Sequence, residues 1–379
     1  MPVSDESVSK ESETGSALSG QQVDQGKGRI FPCPSCGADL EFHIGQQSLQ
    51  CPFCGHQEEL TEVAGAEVGE QDLQAMLERM VELRRQGAAE KVETQQVQCE
   101  SCSAQVEFTG SLTSTECAYC GSPIQRQNVH RADDRVPVDG IVPFQVEHTQ
   151  AHANLKGWMG SLWFAPGAFK KQVIEGNFNG VFLPVWTFDA MTFTRYRGQR
   201  GDQYFQVVGS GKNRRQEARM RWRSAAGSFQ GFFDDVIVAA RRALPPKLLR
   251  TLEPWPLDSV LPFSEELLAG YQARTYELPL DQGFPEAKQR IEQALLSRAR
   301  QDIGGDAQQV QQIQTRYSAL TYKHLLLPLW LLTYRFKDKT YQVVVNAATG
   351  EVTGERPWSA GKIALLVLLA LVVMVFFLR

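Results

Sequence analysis

Four Cys-x-x-Cys pairs constrain this chain more than any other feature. Its eight cysteines are Cys33/Cys36, Cys51/Cys54, Cys99/Cys102 and Cys117/Cys120, and no other segment carries one. Fourteen residues separate the pairs within each set, and the second set repeats the first at an offset of 66. The register extends past the cysteines. Ala38, Glu41 and Phe42 match Ala104, Glu107 and Phe108, while Phe53 and Gly55 correspond to Tyr119 and Gly121. This is an internal duplication. A secreted disulfide scaffold spreads its cysteines through a small chain, so this usage points instead to a reducing compartment and to metal.

The chemistry explains the spacing. Zinc takes four soft ligands in a tetrahedron, and four thiolates form a closed structural set. Two residues between ligands let one tight turn aim both sulfurs at one ion. Gly37, Gly55 and Gly121 each follow a second cysteine, where such a knuckle favours positive φ. The fourteen-residue insert fits a short hairpin, which is the zinc-ribbon pattern. A thioredoxin-type redox pair stands alone within a βαβ unit, and these pairs do not. We therefore expect two zinc ions, one on Cys33, Cys36, Cys51 and Cys54 and one on Cys99, Cys102, Cys117 and Cys120. His43 and His56 lie nearby, but each set is complete without them.

The expected organisation is α+β: two tandem four-cysteine zinc ribbons, a mixed α+β domain and a C-terminal transmembrane helix. Residues 1–28, rich in Ser, Glu, Gln and Gly, read as a disordered tail with no signal peptide. Ribbon 1 spans 29–62, an amphipathic helical linker 66–92, ribbon 2 95–126, and the α+β domain 138–357. Within the linker, Leu73, Met76, Leu77, Met80 and Leu83 recur at helical spacing, which suits packing against the ribbons. In the domain, the phrases at 183–186 and 327–330 suggest two copies of one β-unit. A helix over 285–303 starts with Pro285 in its first turn. Trp158, Trp163, Trp186 and Trp330 sit among apolar neighbours and read as core.

The net charge of −4 excludes a polyanion binder as a whole. One local stretch is basic. Lys212, Arg214, Arg215, Arg219, Arg221 and Arg223 face Glu217 alone, and on a strand Arg219, Arg221 and Arg223 would share one face with Met220 and Trp222 on the other. Such a stripe is either solvated or meets an anionic partner: lipid, protein or nucleic acid. The Gly-Ser-Gly-Lys at 209–212 lacks the first glycine and the final Ser/Thr of a phosphate loop. No Gly-x-Ser-x-Gly or His-Glu-x-x-His occurs. Asp234 and Asp235, adjacent on a strand, would point to opposite faces, and His148 and His152 read as helix surface. The chain is expected not to be an enzyme.

Residues 363–378 are sixteen consecutive apolar residues, ~24 Å of helix at ~1.5 Å per residue against a hydrocarbon core of ~30 Å. With Trp358 at the interface and Lys362 snorkelling, 358–379 reads as a single-pass C-terminal anchor in the lipid bilayer. Only Arg379 follows, so insertion comes after translation, and free thiolates need a reducing side. Both place 1–357 in the cytoplasm.

These residues resemble a bacterial family of membrane-anchored double zinc-ribbon (TFIIB-type zinc-ribbon) proteins. The resemblance rests on the paired knuckles and on the segments 140–146, 180–190, 232–240, 325–334 and 345–357, and it covers nearly everything after residue 28. It implies a scaffold whose functional residues are the eight cysteines. The implied location is the bacterial inner membrane, and the implied partners are stomatin/flotillin-type (SPFH) or phage-shock protein A-type membrane-stress proteins. Many relatives carry further or central spans, whereas this chain has one terminal anchor. The alternative is a membrane-tethered nucleic-acid-binding protein using the ribbons and the arginine stripe.

Overall fold

The computed structural model of the chain describes residues 26–27, 31–38, 40–44, 46, 48–60, 68–85, 95–98, 105–108, 112–116, 123–125, 135–174, 178–209, 214–241, 245–336 and 339–377. The expected tail lies outside them except for Gly26 and Lys27, and so do Cys99, Cys102, Cys117, Cys120 and Lys212.

The first repeat forms a three-stranded antiparallel sheet of β1 (Glu41–His43), β2 (Ser48–Gln50) and β3 (Gln57–Glu59). Helix α1 (Leu73–Arg85) follows. The second repeat supplies β4 (Gln95–Gln98), β5 (Gln105–Phe108), β6 (Leu112–Glu116) and β7 (Pro123–Gln125). Strand β7 lies 66 residues after β3 at both ends, and the pairing Glu116↔Pro123 repeats Gln50↔Gln57. The duplication is thus visible in strand register as well as in composition.

The rest is mixed α+β around a twelve-stranded sheet. Helices α2 (His148–Ser161) and α3 (Gly167–Ile174) precede two long strands, β8 (Asn179–Val208) and β9 (Arg215–Phe233). Then come β10 (Gln272–Arg274), α4 (Leu280–Ile303), β11 (Ala307–Phe336), β12 (Lys339–Asn346), β13 (Val352–Gly354) and α5 (Ala360–Phe377). Strands β8 and β11 pair antiparallel from Asn179↔Leu331 to Gly201↔Ala307. The two similar β phrases meet head to tail, Leu183 opposite Leu327. Their prolines sit mid-strand, where a missing N–H normally breaks a ladder. Here Pro184 O accepts from Ala240 N at 3.0 Å and Pro328 O from Ala347 N at 3.1 Å. A strand residue's N and O point the same way, so each absent N–H faces outward and the β8–β11 pairing survives.

Helix α4 lies along this sheet through a stripe of Leu280, Gly283, Ala287, Ile291, Leu295, Ala299 and Ile303, all buried. Gly304, at φ 64°, terminates it. The helix begins five residues before the expected Pro285, which lies inside it. Leu280 joins the buried cluster around Trp186, and packing that extra turn outweighs the hydrogen bond a proline removes.

Helix α1 docks on the same cluster rather than on the ribbons. Leu73 and Met80 are buried with Trp186, Phe188, Tyr276 and Tyr322, and Arg84 pairs with Asp281 at 2.8 Å. The ribbon is not a free arm either. Its Phe31, Leu40, Phe42 and Leu49 share one apolar cluster with Leu267, Leu268 and Ala269, and Phe42 N donates to Ala269 O at 3.4 Å. The second repeat uses the same segment. Strand β6 pairs with β10, Ser114 Oγ donates to Tyr271 O at 2.8 Å, and Gln125 Nε2 donates to Glu265 O at 3.1 Å. Residues 265–274 therefore form a seat for both repeats.

One expectation needs correction here. Trp186 and Trp330 are buried, with indole N–H groups donating to Leu278 O and Val146 O, and Trp158 packs at the core's edge. Trp163 does not: it is 72% exposed, because Leu162 and Ala165 take the inward positions of the turn after α2. Among the described residues no helix is long and apolar enough to cross a membrane. Helix α5 comes nearest at 18 residues, but the side chains at 369, 372 and 376, within its apolar run, lie outside the described set.

Candidate metal centre

Each half of the first ribbon's site is a tight turn. Gly37 N donates to Cys33 O at 2.8 Å and Cys33 N to Ala38 O at 2.6 Å; Gly55 N donates to Cys51 O at 3.0 Å and Cys51 N to His56 O at 2.8 Å. Gly37 and Gly55 close these turns at φ 75° and 74°, left-handed values that disfavour a Cβ. Strands β1 to β3 bring the two knuckles face to face.

The four sulfurs lie within 4.8 Å of one another. Cys33 Sγ is 3.5 Å from Cys54 Sγ, and Cys36 Sγ is 3.5 Å from Cys51 Sγ. A disulfide needs ~2.05 Å, so these are not bonded pairs. Around a tetrahedral ion with bonds of ~2.3 Å, ligand sulfurs stand ~3.8 Å apart, close to what is seen. Cys33 and Cys51 are buried, Cys36 and Cys54 exposed, so an ion here would sit at the ribbon's rim.

Electrostatics makes the same point. The Cys54 backbone N–H is the main influence that lowers Cys51, to about 7. Cys54 moves the other way. The His56 N–H lowers it, but the Cys36, Cys33 and Cys51 sulfurs and burial outweigh that and push it up to about 12. Thiolates this close repel one another, and a divalent cation at their centre removes the conflict. The cluster fits a metal ion. Its equivalent in the second repeat lies outside the described residues.

The described residues contain one further acidic group that the sequence did not signal. Glu70, Asp189 and Asp235 converge around Lys323, whose ammonium lies 2.5 Å from Glu70 and 3.0 Å from Asp235. Asp189 accepts from Asp235 N at 2.7 Å and from Thr321 Oγ1 at 2.9 Å. Lys323 already supplies the cation, so the group joins the segment before α1 to the sheet. Asp234 and Asp235 are not on a strand as expected. Strand β9 ends at Phe233, and Asp235 turns at φ 49°. His148 and His152 pack their rings against Phe178 and join no metal-type cluster.

The arginine stripe lies on the outer part of the β8–β9 hairpin. Strand register puts Arg215, Arg219, Arg221 and Arg223 on one face with Tyr204, and Met220 and Trp222 on the other with Phe205 and Val207. All four arginines are exposed, as is Arg214 just before the strand. Arg215 pairs with Glu217 at 2.8 Å, and Arg221 lies 4.9 Å over the Tyr204 ring. The stripe stands apart from the cysteine knuckles in the fold's element order, and no hydrogen bond or ion pair joins the two among the described residues.

No family model matches the chain, and no solved structure matches it. A curated protein of Bacillus subtilis (strain 168), the uncharacterized protein YdjG, is 24% identical over 343 residues, covering 88% of this chain and 92% of the relative.

Proposed function

We propose that the protein is a non-enzymatic zinc-binding scaffold held at the bacterial inner membrane, with 1–357 in the cytoplasm. One observation carries the reading: a closed four-cysteine knuckle presents an apolar side chain, Phe53, 81% exposed beside Cys54. A complete thiolate shell leaves no position for a reactive water, so the metal is structural. Zinc fits four sulfurs at this spacing, and the duplication extends the same chemistry to Cys99, Cys102, Cys117 and Cys120 as a second zinc. An exposed aromatic on a rigid knuckle suits a protein partner. The partner class we propose is the one the family resemblance implies, an SPFH or phage-shock protein A-type membrane-stress protein.

Helix α5 supports the anchor. Its 18 described residues reach ~27 Å against a hydrocarbon core of ~30 Å. Leu365, Leu368, Leu371 and Phe377 are each more than half exposed, a state that water disfavours and lipid does not.

The exposed arginine face of the hairpin favours a second reading, nucleic-acid binding. Against it, the ribbon's outer strand exposes Glu58 and Glu59, whose carboxylates repel phosphate. A pull-down of full-length protein from detergent-solubilised membranes, with and without nuclease and with Phe53→Ser as control, decides between them. The scaffold reading expects a stoichiometric protein that survives nuclease and is lost with Phe53→Ser. Nucleic acid in the eluate, with partners lost on nuclease treatment, would replace it with the second.

A further inference from the structure

Trp163 lies in the turn between α2 and α3, 72% exposed, and Trp358 lies just before α5, 59% exposed. They are 195 positions apart in sequence, yet the fold joins their segments at one place. Lys362 Nζ donates to Trp163 O at 2.8 Å and to Ala165 O at 3.0 Å. Ser359 N donates to Phe164 O at 2.8 Å, and the Phe164 and Trp358 rings lie 5.9 Å apart. The Arg356 guanidinium stands 4.9 Å over the Trp358 ring. The turn is therefore fastened to the first turn of α5 by three hydrogen bonds and a ring contact.

The place of this junction matters. Lys362 is the last charged residue before the apolar run that begins at Ile363. The polar-to-apolar boundary of α5 thus coincides with a patch of two exposed indoles and two cations, Arg356 and Lys362. Indoles have an apolar body and one N–H donor, and they concentrate where hydrocarbon meets headgroups. Arg and Lys at the same level suit lipid phosphate. A soluble surface gains nothing from two exposed tryptophans at the root of an apolar helix. A bilayer interface satisfies both the rings and the charges.

We infer that the 162–166 turn and Trp358 form an interfacial collar around the root of α5, with Trp163 and Trp358 lying among phospholipid headgroups. The collar seats α2 and α3 against the bilayer instead of leaving the domain on a free stalk. This rests on reading α5 as a membrane anchor.

The test uses the full-length protein in vesicles of phosphatidylcholine and phosphatidylglycerol. Flotation of the vesicles reports the anchor. Quenching of tryptophan emission by lipids with a nitroxide near the headgroup, or deep in the acyl chain, reports the collar. Helix α5 contains no tryptophan, so deep quenching should be weak in all forms. The collar predicts shallow quenching that falls by about half in Trp163→Phe or in Trp358→Phe and is nearly lost in the double variant. Protein that floats, but whose shallow quenching is absent or unchanged by Trp163→Phe, overturns the collar and leaves the anchor standing. Exposed turn aromatics that instead contact a protein would give this result. Protein that does not float removes the anchor and the collar with it.

Discussion

Helices α2 and α4 each contain an interior glycine, and the structure predicts opposite effects from the same substitution. Gly157 in α2 is exposed, and an added Cβ would meet nothing within 4 Å. Gly157→Ala should therefore stabilise by ~0.5–1 kcal/mol through helix propensity and a less flexible unfolded chain. At Gly283 in α4, an added Cβ would lie 2.8 Å from Trp186 Cδ1 and 3.3 Å from Nε1. Trp186 cannot retreat. It is fully buried, its indole donates to Leu278 O at 2.9 Å, and its ring meets His324 at 4.4 Å and Tyr276 at 5.0 Å. Relief needs a shift of roughly 0.7 Å to reach ordinary contact, and overpacking of this kind costs ~1–3 kcal/mol. Less the propensity gain, Gly283→Ala should destabilise by ~0.5–2 kcal/mol, placing the two variants ~1–3 kcal/mol apart. Urea unfolding of the full-length protein, followed by tryptophan fluorescence, reads this as midpoints on either side of wild type at constant slope. If Gly283→Ala raised the midpoint as Gly157→Ala does, α4 would not be locked against the sheet at Trp186, and the packing argument would fail.

Three further outcomes are expected. Cys54→Ser should lower bound zinc in purified protein by about half and raise amide exchange at Phe42 and Leu49, while β8 and β11 stay protected; zinc content equal to wild type would remove the metal assignment. Burial holds His324 neutral down to about 4, so as pH falls from 6.5 the unfolded chain gains a proton that the native chain lacks, and stability is lost. Burial also holds Asp139 protonated up to about 6, so between 6 and 3.8 the native chain keeps a proton that the unfolded chain lacks, and stability is gained. The two roughly offset in wild type, and Asp139→Asn should expose an acid-side loss of about 3 kcal/mol in unfolding curves from pH 6.5 to 4; a flat profile would show that His324 titrates normally. Arg221→Ala with Arg223→Ala should leave stability within ~0.5 kcal/mol, and single-stranded DNA should show no salt-dependent binding to either form in fluorescence anisotropy, since binding with a salt slope that falls by ~1–2 in the variant would favour the nucleic-acid reading.

Much of the first site was legible because its signal is local. Two residues between cysteines and a following glycine specify a knuckle whatever surrounds it, and the structure brings Cys33, Cys36, Cys51 and Cys54 together. The alternation of Arg219, Met220, Arg221, Trp222 and Arg223 likewise predicts opposite faces of a strand, because side-chain direction has a period of two. The Lys323 group was not legible. Glu70, Asp189, Asp235 and Lys323 come from four distant segments, and no spacing announces them. Trp163 misled for a related reason. Its neighbours are apolar, but which residues of the turn point inward depends on where α2 ends.

The sequence by itself determined the repeats, the candidate ligands, the strand faces and the apolar run at 363–378, since each depends on a short period or a fixed spacing. Only the tertiary structure decided that both repeats sit on the 265–274 segment, that α1 packs on Trp186's cluster, that α4 starts at Leu280, and that Trp163 is fastened to the root of α5. Those outcomes depend on which distant apolar surfaces can be buried together. That choice is a comparison among whole packings, and no local pattern contains it.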